Sequence, residues 1–373
     1  MITRRSALGL GLMSLGTGLH ELGCANAEGS ITKTESSGYY LPLESNPHER
    51  TFMQWPALKS IYGSQDDLEA VREKISLIAN SIVKFEPVVL LARPEQTESA
   101  RDQMHQGVEI WPIETDDLWA RDSGPTFVVN GKNQLAVREL NFNGWGNKQT
   151  HGNDARIAGR VAGKLGLQVF NNELVGEGGG IEFDGKGTAM AHASCWVNAN
   201  RNIGSRDDIE RKLLEAVGAK KIIWAPGVIG SDITDYHIDA LARFVKPGQV
   251  VIQLPDKVDH NDPWSASAYE TYEILKKSRD AEGNALDIVV IPEPVDIRSE
   301  VNDFVSSYVN YYVCNGAVIS AEFGDDKADE EARHLLSQLY PGREIISLNV
   351  DAIGEAGGGI HCSTQQQPKI NTD

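Results

Sequence analysis

Short apolar runs recur along the chain, each closed by a tight turn containing glycine and followed by a second apolar run. Pro125–Val129 ends at Asn130-Gly131, Ile181–Phe183 at Asp184-Gly185, Ala242–Val245 at Pro247-Gly248, and Tyr308–Val313 at Asn315-Gly316. Asn-Gly and Asp-Gly between apolar runs are the strongest short-range hairpin signals, so the pattern predicts four β-hairpins. A helical stretch is predicted after each, over Asp154–Leu165, Arg206–Val217, Ala266–Lys277 and Ala328–Leu339. A polar residue leads into every unit: Asp122, Glu177, His237 with Asp239, a position near Asn302, and Cys362. The steps are 55, 60, 65 and 60 residues. A period near sixty, built of strands and one helix, predicts α/β modules arranged around an axis. The segment Leu41–Trp55 is expected to close the ring by pairing with strands near the C-terminus. In such a ring the equivalent end of each hairpin faces the centre, so these polar residues would meet in one pocket.

The chemistry centres on Cys362, in the run Gly357-Gly358-Gly359-Ile360-His361-Cys362-Ser363-Thr364-Gln365-Gln366-Gln367. Glycines let backbone approach a ligand closely, which suits a nucleophilic thiol. Were the segment extended, His361 would project to the face opposite the sulfur. The base is therefore expected elsewhere, at His237. In Asp235-Tyr236-His237-Ile238-Asp239, an extended chain puts Asp235, His237 and Asp239 on one face, giving the imidazole a carboxylate on either side. A thiol, an imidazole and paired carboxylates suit attack on a planar cation: the carboxylates grip a guanidinium, the thiolate approaches its carbon, and the imidazole handles protons. The reaction requires no metal or other cofactor.

Charge narrows the partner. Fifty-three acidic against 35 basic residues give a net charge of −18, which argues against nucleic acid or an anionic membrane surface and suits a cationic small molecule. Residues 1–27 read as a signal peptide of the twin-arginine type: Arg4-Arg5, an apolar Ala7–Leu19 too short for an ordinary membrane span, and the small-x-small site Ala25-Asn26-Ala27. Cys24 is an alternative lipid-anchor site, although Glu21 sits where an apolar residue is wanted. A linker over 28–40 and a single catalytic domain over 41–370 would follow, in a protein that is periplasmic or secreted. Removing the leader leaves Cys195, Cys314 and Cys362, an odd number with at least one thiol unpaired. Cys195 and Cys314 lie in apolar, strand-like surroundings and read as buried structural residues.

Five segments, Pro47–Pro56, Asp117–Thr126, Glu177–Glu182, Asp235–Asp239 and Gly358–Gln367, resemble the signature segments of agmatine deiminases and the bacterial-type peptidylarginine deiminases. The likeness runs from about Leu41 to Pro368. It implies the five-bladed, pseudo-symmetric α/β propeller (pentein) of the guanidine-modifying superfamily, and hydrolysis of agmatine to N-carbamoylputrescine and ammonia. By position it implies Cys362 as nucleophile, His237 as general acid and base, Asp122 and Asp239 as the guanidinium clamp, and Trp119 along the substrate's aliphatic chain. Glu177 would orient His237, with Glu182 competing for that role. Many agmatine deiminases carry an acid four residues before the catalytic histidine, to meet the distal amine; here that residue is Ile233, flanked by Asp232 and lying near Asp235, which is a candidate substrate contact.

Other signals carry less. Gly180–Gly187 is almost a phosphate loop, but Gly187 stands where Ser or Thr is required, and a hairpin explains the run. His192 and Cys195 lack companion ligands at metal-binding spacing. Asn143–Gly146 is a candidate loop over the pocket. Peptidyl or free arginine is the alternative substrate, and a periplasmic cationic-amine binding protein the non-enzymatic alternative. A ring can pair through any blade, so a homo-oligomer is compatible.

Overall fold

The computed structural model describes residues 38–370. The leader and Cys24 therefore lie outside the described residues. Five sheets repeat one plan. In the first, Thr126–Asn130 pairs antiparallel with Leu135–Glu139, which runs parallel to Gln168–Asn171. The second uses Ile181–Phe183, Thr188–His192 and Lys221–Ala225; the third Ala242–Lys246, Gln249–Leu254 and Asp287–Pro292; the fourth Tyr312–Cys314, Ala317–Ala321 and Glu344–Leu348. In each the first two strands form a hairpin and the third returns parallel to the second. A parallel return needs a long crossover, and a helix supplies it each time.

The fifth sheet joins the two ends of the chain. Gln365–Pro368 pairs antiparallel with His48–Gln54, Gln365 opposite Phe52, and Val88–Ala92 and Val108–Pro112 continue in parallel. This is the closure expected of Leu41–Trp55. Neighbouring first strands also touch, Gln365–Pro368 against Thr126–Asn130 and Ile181–Phe183 against Ala242–Lys246. The start of every hairpin is thereby turned inward. Tyr39–Tyr40, inside the expected linker, pair with Val129 and Asn130 at the edge of the first sheet.

The helices begin and end where local chemistry dictates. Arg206–Val217 starts at Ser205, whose side chain accepts from Asp208 N, and stops at Gly218 with φ 67°. The third helix starts at Pro263, three residues before the expected Ala266, because Asp262 caps it by accepting from Trp264 N and Ser265 N and proline suits the first turn. The fourth starts at Asp326, capped by Asp325. Their apolar faces are buried, as at Ile209, Leu213 and Val217 of the second. In the fourth unit the expected run Tyr308–Val313 is strand only from Tyr312. Asn310 N donates back to Ser307 O and Tyr308 N donates to Gln253 Oε1, so both bonds leave the ladder.

Candidate active site

Each blade delivers its polar residue just before its first strand, on a short turn rather than in the sheet. Asp122 lies in the single turn Ala120–Ser123, Glu177 precedes the turn Gly178–Gly180, His237 precedes the turn Ile238–Ala240 that contains Asp239, and Cys362 sits in the turn before Gln365. The fourth blade contributes Asn310, not a residue near Asn302. All six side chains are buried.

Gly179 marks where they converge. A Cβ there would lie 2.7 Å from His237 Nδ1, 2.8 Å from Asp122 Oδ1 and 3.0 Å from Asp239 Oδ2. Hydrogen in place of a side chain is what lets the Gly179 backbone pack directly on all three groups. His237 Nδ1 and Asp239 Oδ1 are buried with no hydrogen-bond partner among the described residues. Buried polar groups are rarely left so, and both suit a hydrogen-bonding guest. Asp122 is held from two sides: Oδ1 accepts from Gly179 N at 3.2 Å and Oδ2 from Trp145 Nε1 at 2.9 Å. The Asn143–Gly146 loop thus reaches the site, through Trp145 with φ 56°.

His237 is embedded in negative charge. Its Nε2 lies 3.3 Å from Glu177 Oε2 and its Nδ1 3.6 Å from Asp122 Oδ1. Burial by itself would lower its pKa, but Asp122, Glu177 and Asp239 outweigh burial and raise it. Glu177 is held in turn by Arg201, whose Nε donates to both its oxygens at 2.9 and 3.0 Å. Burial would raise the Glu177 pKa; Arg201 and His237 prevail and lower it. Glu182 faces elsewhere, accepting from Arg243 Nε and Phe244 N. Of the two competing carboxylates, Glu177 is the one on His237.

Cys362 is fixed by Asn310. Asn310 Nδ2 donates to the sulfur at 3.2 Å, and Asn310 Oδ1 accepts from Cys362 N at 3.3 Å. The sulfur lies 3.6 Å from Asp239 Oδ2. A terminal amide was invisible as a site residue because Asn is common in turns; only its place at the head of the fourth blade could have singled it out.

Two expectations about side-chain direction fail, for one reason: the segments are turns. Ser363 N donates to Ile360 O and Thr364 N to His361 O, so the chain curls at Cys362 and His361 does not project away. Its Nδ1 lies 2.7 Å from Asp239 Oδ2 and its Nε2 2.8 Å from Glu44 Oε2. Likewise Asp235 and Tyr236 adopt φ of 58° and 70°, which breaks the alternation that would have set Asp235 beside His237. Asp235 Oδ2 instead accepts from Arg201 Nη1 at 2.7 Å and Lys148 Nζ at 2.8 Å. It supports Arg201 rather than offering a substrate contact. Trp119 is buried and lines a cavity with Tyr62, Asp117, Gln149 and Glu355, its ring packed on Gly358.

His192 and Cys195 are structural. His192 Nδ1 lies 2.8 Å from Tyr236 O, and burial lowers its pKa to about 4 while raising the Cys195 and Cys314 thiols. Among the described residues no group of three or more His, Cys, Asp or Glu is placed to hold a metal, and no helix is long and apolar enough to cross a membrane.

Residues 40–368 match the family described as Porphyromonas-type peptidyl-arginine deiminase. An agmatine deiminase of Stutzerimonas stutzeri is 33% identical over 366 residues, covering 91% of this chain and 98% of that protein. One of Medicago truncatula is 32% identical over 367 residues, covering 89% and 97%. The solved agmatine deiminase of Enterococcus faecalis matches with a TM-score of 0.84 at 26% identity, covering 92% of this chain and all of that one. With the fold matched over nearly its whole described length and the family pattern spanning every blade, the chain belongs to the Porphyromonas-type peptidyl-arginine deiminase family.

Proposed function

We propose that this protein is an agmatine deiminase, converting agmatine and water to N-carbamoylputrescine and ammonia. The observation that carries the reading is the convergence of His237, Asp122 and Asp239 around Gly179, with the Cys362 sulfur against Asp239. A guanidinium docked against this cluster would be gripped by the two carboxylates through charge-assisted hydrogen bonds. Its positive charge favours the thiolate form of Cys362. The thiolate attacks the guanidinium carbon; His237 then gives its proton to the departing amine, leaving an amidino-thioether and ammonia. Water next adds to the same carbon as His237 takes its proton, and collapse restores the thiolate and releases the ureido product. Glu177 holds the imidazole by Nε2 and keeps Nδ1 toward the reacting carbon.

The test is ammonia release from agmatine, free arginine and a short arginine peptide, by the native protein and by Cys362→Ala. Highest kcat/KM with agmatine and no turnover by the variant are expected. Undiminished turnover by the variant removes the covalent route, and preference for the peptide transfers the assignment to peptidylarginine. One observation favours that second reading: Ile233 is buried and apolar, and Asp235 is occupied by Lys148 and Arg201, so neither of these two positions offers a free carboxylate to a distal amine.

Export is part of the same proposal, supported by Arg4-Arg5 and Ala7–Leu19. Cell fractionation of native and Arg4→Lys/Arg5→Lys proteins tests it. Polyamine supply is the proposed role of the product.

A further inference from the structure

His361 has no place in the reaction as written, yet it is held at both ring nitrogens beside the site. It is buried, and each ring nitrogen faces a carboxylate: Nδ1 lies 2.7 Å from Asp239 Oδ2 and Nε2 2.8 Å from Glu44 Oε2. The ring thus bridges the two carboxyl groups, one at each nitrogen. Glu44 is itself anchored, with Oε2 2.9 Å from Arg243 Nη2 and 3.1 Å from Arg121 Nη2, and Oε1 accepting from Val313 N at 2.9 Å. Arg121 closes the arrangement, its backbone N donating to Cys362 O at 3.1 Å.

The consequence falls on Asp239. Its Oδ2 is engaged by His361 and touched by the Cys362 sulfur, whereas its Oδ1 is buried without a hydrogen-bond partner among the described residues. A carboxylate that could rotate would present either oxygen; this one is pinned by one edge and presents the other.

We propose that His361 is a positioning residue for the guanidinium clamp: bridging Asp239 to Glu44, it holds Asp239 Oδ2 and leaves Oδ1 to bind the substrate. Glu44, on the segment before the fifth sheet's His48–Gln54, thereby couples the entering chain to a carboxylate of the third blade. The inference rests on the guanidine-hydrolase reading above.

Two substitutions separate the halves of the bridge. His361→Asn keeps an N–H near the Nδ1 position and so the bond to Asp239; His361→Gln keeps one near Nε2 and so the bond to Glu44. Steady-state kinetics with agmatine are compared with calorimetric binding of agmatine to Cys362→Ala proteins carrying each substitution. Expected are a KM and dissociation constant raised roughly tenfold to hundredfold by Gln, and much less by Asn, with comparable melting temperatures for the two. Equal losses from Asn and Gln that follow stability, or unchanged binding in the Gln variant, overturn the proposal. A native protein that neither binds nor hydrolyses any guanidine overturns the underlying reading instead, so the two failures are distinguishable.

Discussion

Trp145 Nε1 donates to Asp122 Oδ2 at 2.9 Å, from a buried indole held at φ 56° between two left-handed glycines. A loop outside the repeated strands thus holds Asp122, one carboxylate of the proposed guanidinium clamp. Trp145→Phe keeps the ring against Phe142, its edge-to-face neighbour at 5.0 Å, and removes only the N–H. Losing one hydrogen bond to a buried carboxylate costs about 1–3 kcal/mol, so KM for the guanidine should rise roughly fivefold to a hundredfold with kcat less affected. Steady-state kinetics of the Phe variant check this.

Gly179 is expected to be intolerant of any side chain. The Cβ of Gly179→Ala would press on His237 Nδ1, Asp122 Oδ1 and Asp239 Oδ2 together, and none of these buried groups can swing away without losing a partner or entering the substrate's space. A displacement of an ångström at reacting groups is worth about a hundredfold in rate. The alanine variant should therefore lose at least about that much kcat/KM, and calorimetry should show weakened substrate binding in a protein that still folds.

Asn310 should act on Cys362, the proposed nucleophile. Asn310→Ala removes the donor 3.2 Å from the Cys362 sulfur, so the thiolate loses a stabilising hydrogen bond. The pH midpoint for inactivation by iodoacetamide should move upward and kcat fall by roughly tenfold. Titrating the inactivation rate in both proteins measures the shift.

Two pH limits follow from the carboxylates around His237. Its pKa is raised, so the protonated form, the acid of the proposed reaction, persists above 6.5, and stability from that form is present below 6.5 and lost as pH rises through the folded value. Glu177→Gln should pull the alkaline limb of kcat/KM to lower pH. Asp239 is displaced the other way: burial would raise it, but the hydrogen bond and charge of His361, with His237 and Arg243, lower it from 3.8 to about 2. Its contribution, about 2 kcal/mol, is present above 3.8 and lost as pH falls toward 2. Urea unfolding across that window should show a shallower acid slope for Asp239→Asn.

Much of this architecture is written locally. Asn130-Gly131, Asp184-Gly185, Pro247-Gly248 and Asn315-Gly316 each close a hairpin, because turn chemistry is decided within a few residues. Helices end at expected positions such as Val217 and Lys277 for the same reason. The period near sixty, and the polar residue opening each unit, place Asp122, Glu177, His237, Asp239 and Cys362 at equivalent points of successive blades. The ring then brings them together.

Side-chain aim was decided only by the tertiary structure. Asp235 turns to Arg201 and Lys148 because of two left-handed residues, and His361 turns to Asp239 and Glu44 because its segment curls; alternation along a strand misled at both places. Arg201, Asn310 and Glu44 entered the site unannounced, and Trp145 only as part of a candidate loop, since each acquires its meaning from a partner 23 or more residues away. Hydrophobic period and turn type are short-range properties of a chain. Which oxygen of a buried carboxylate is occupied, and which is left for a guest, depends on contacts that exist only once the ring has closed.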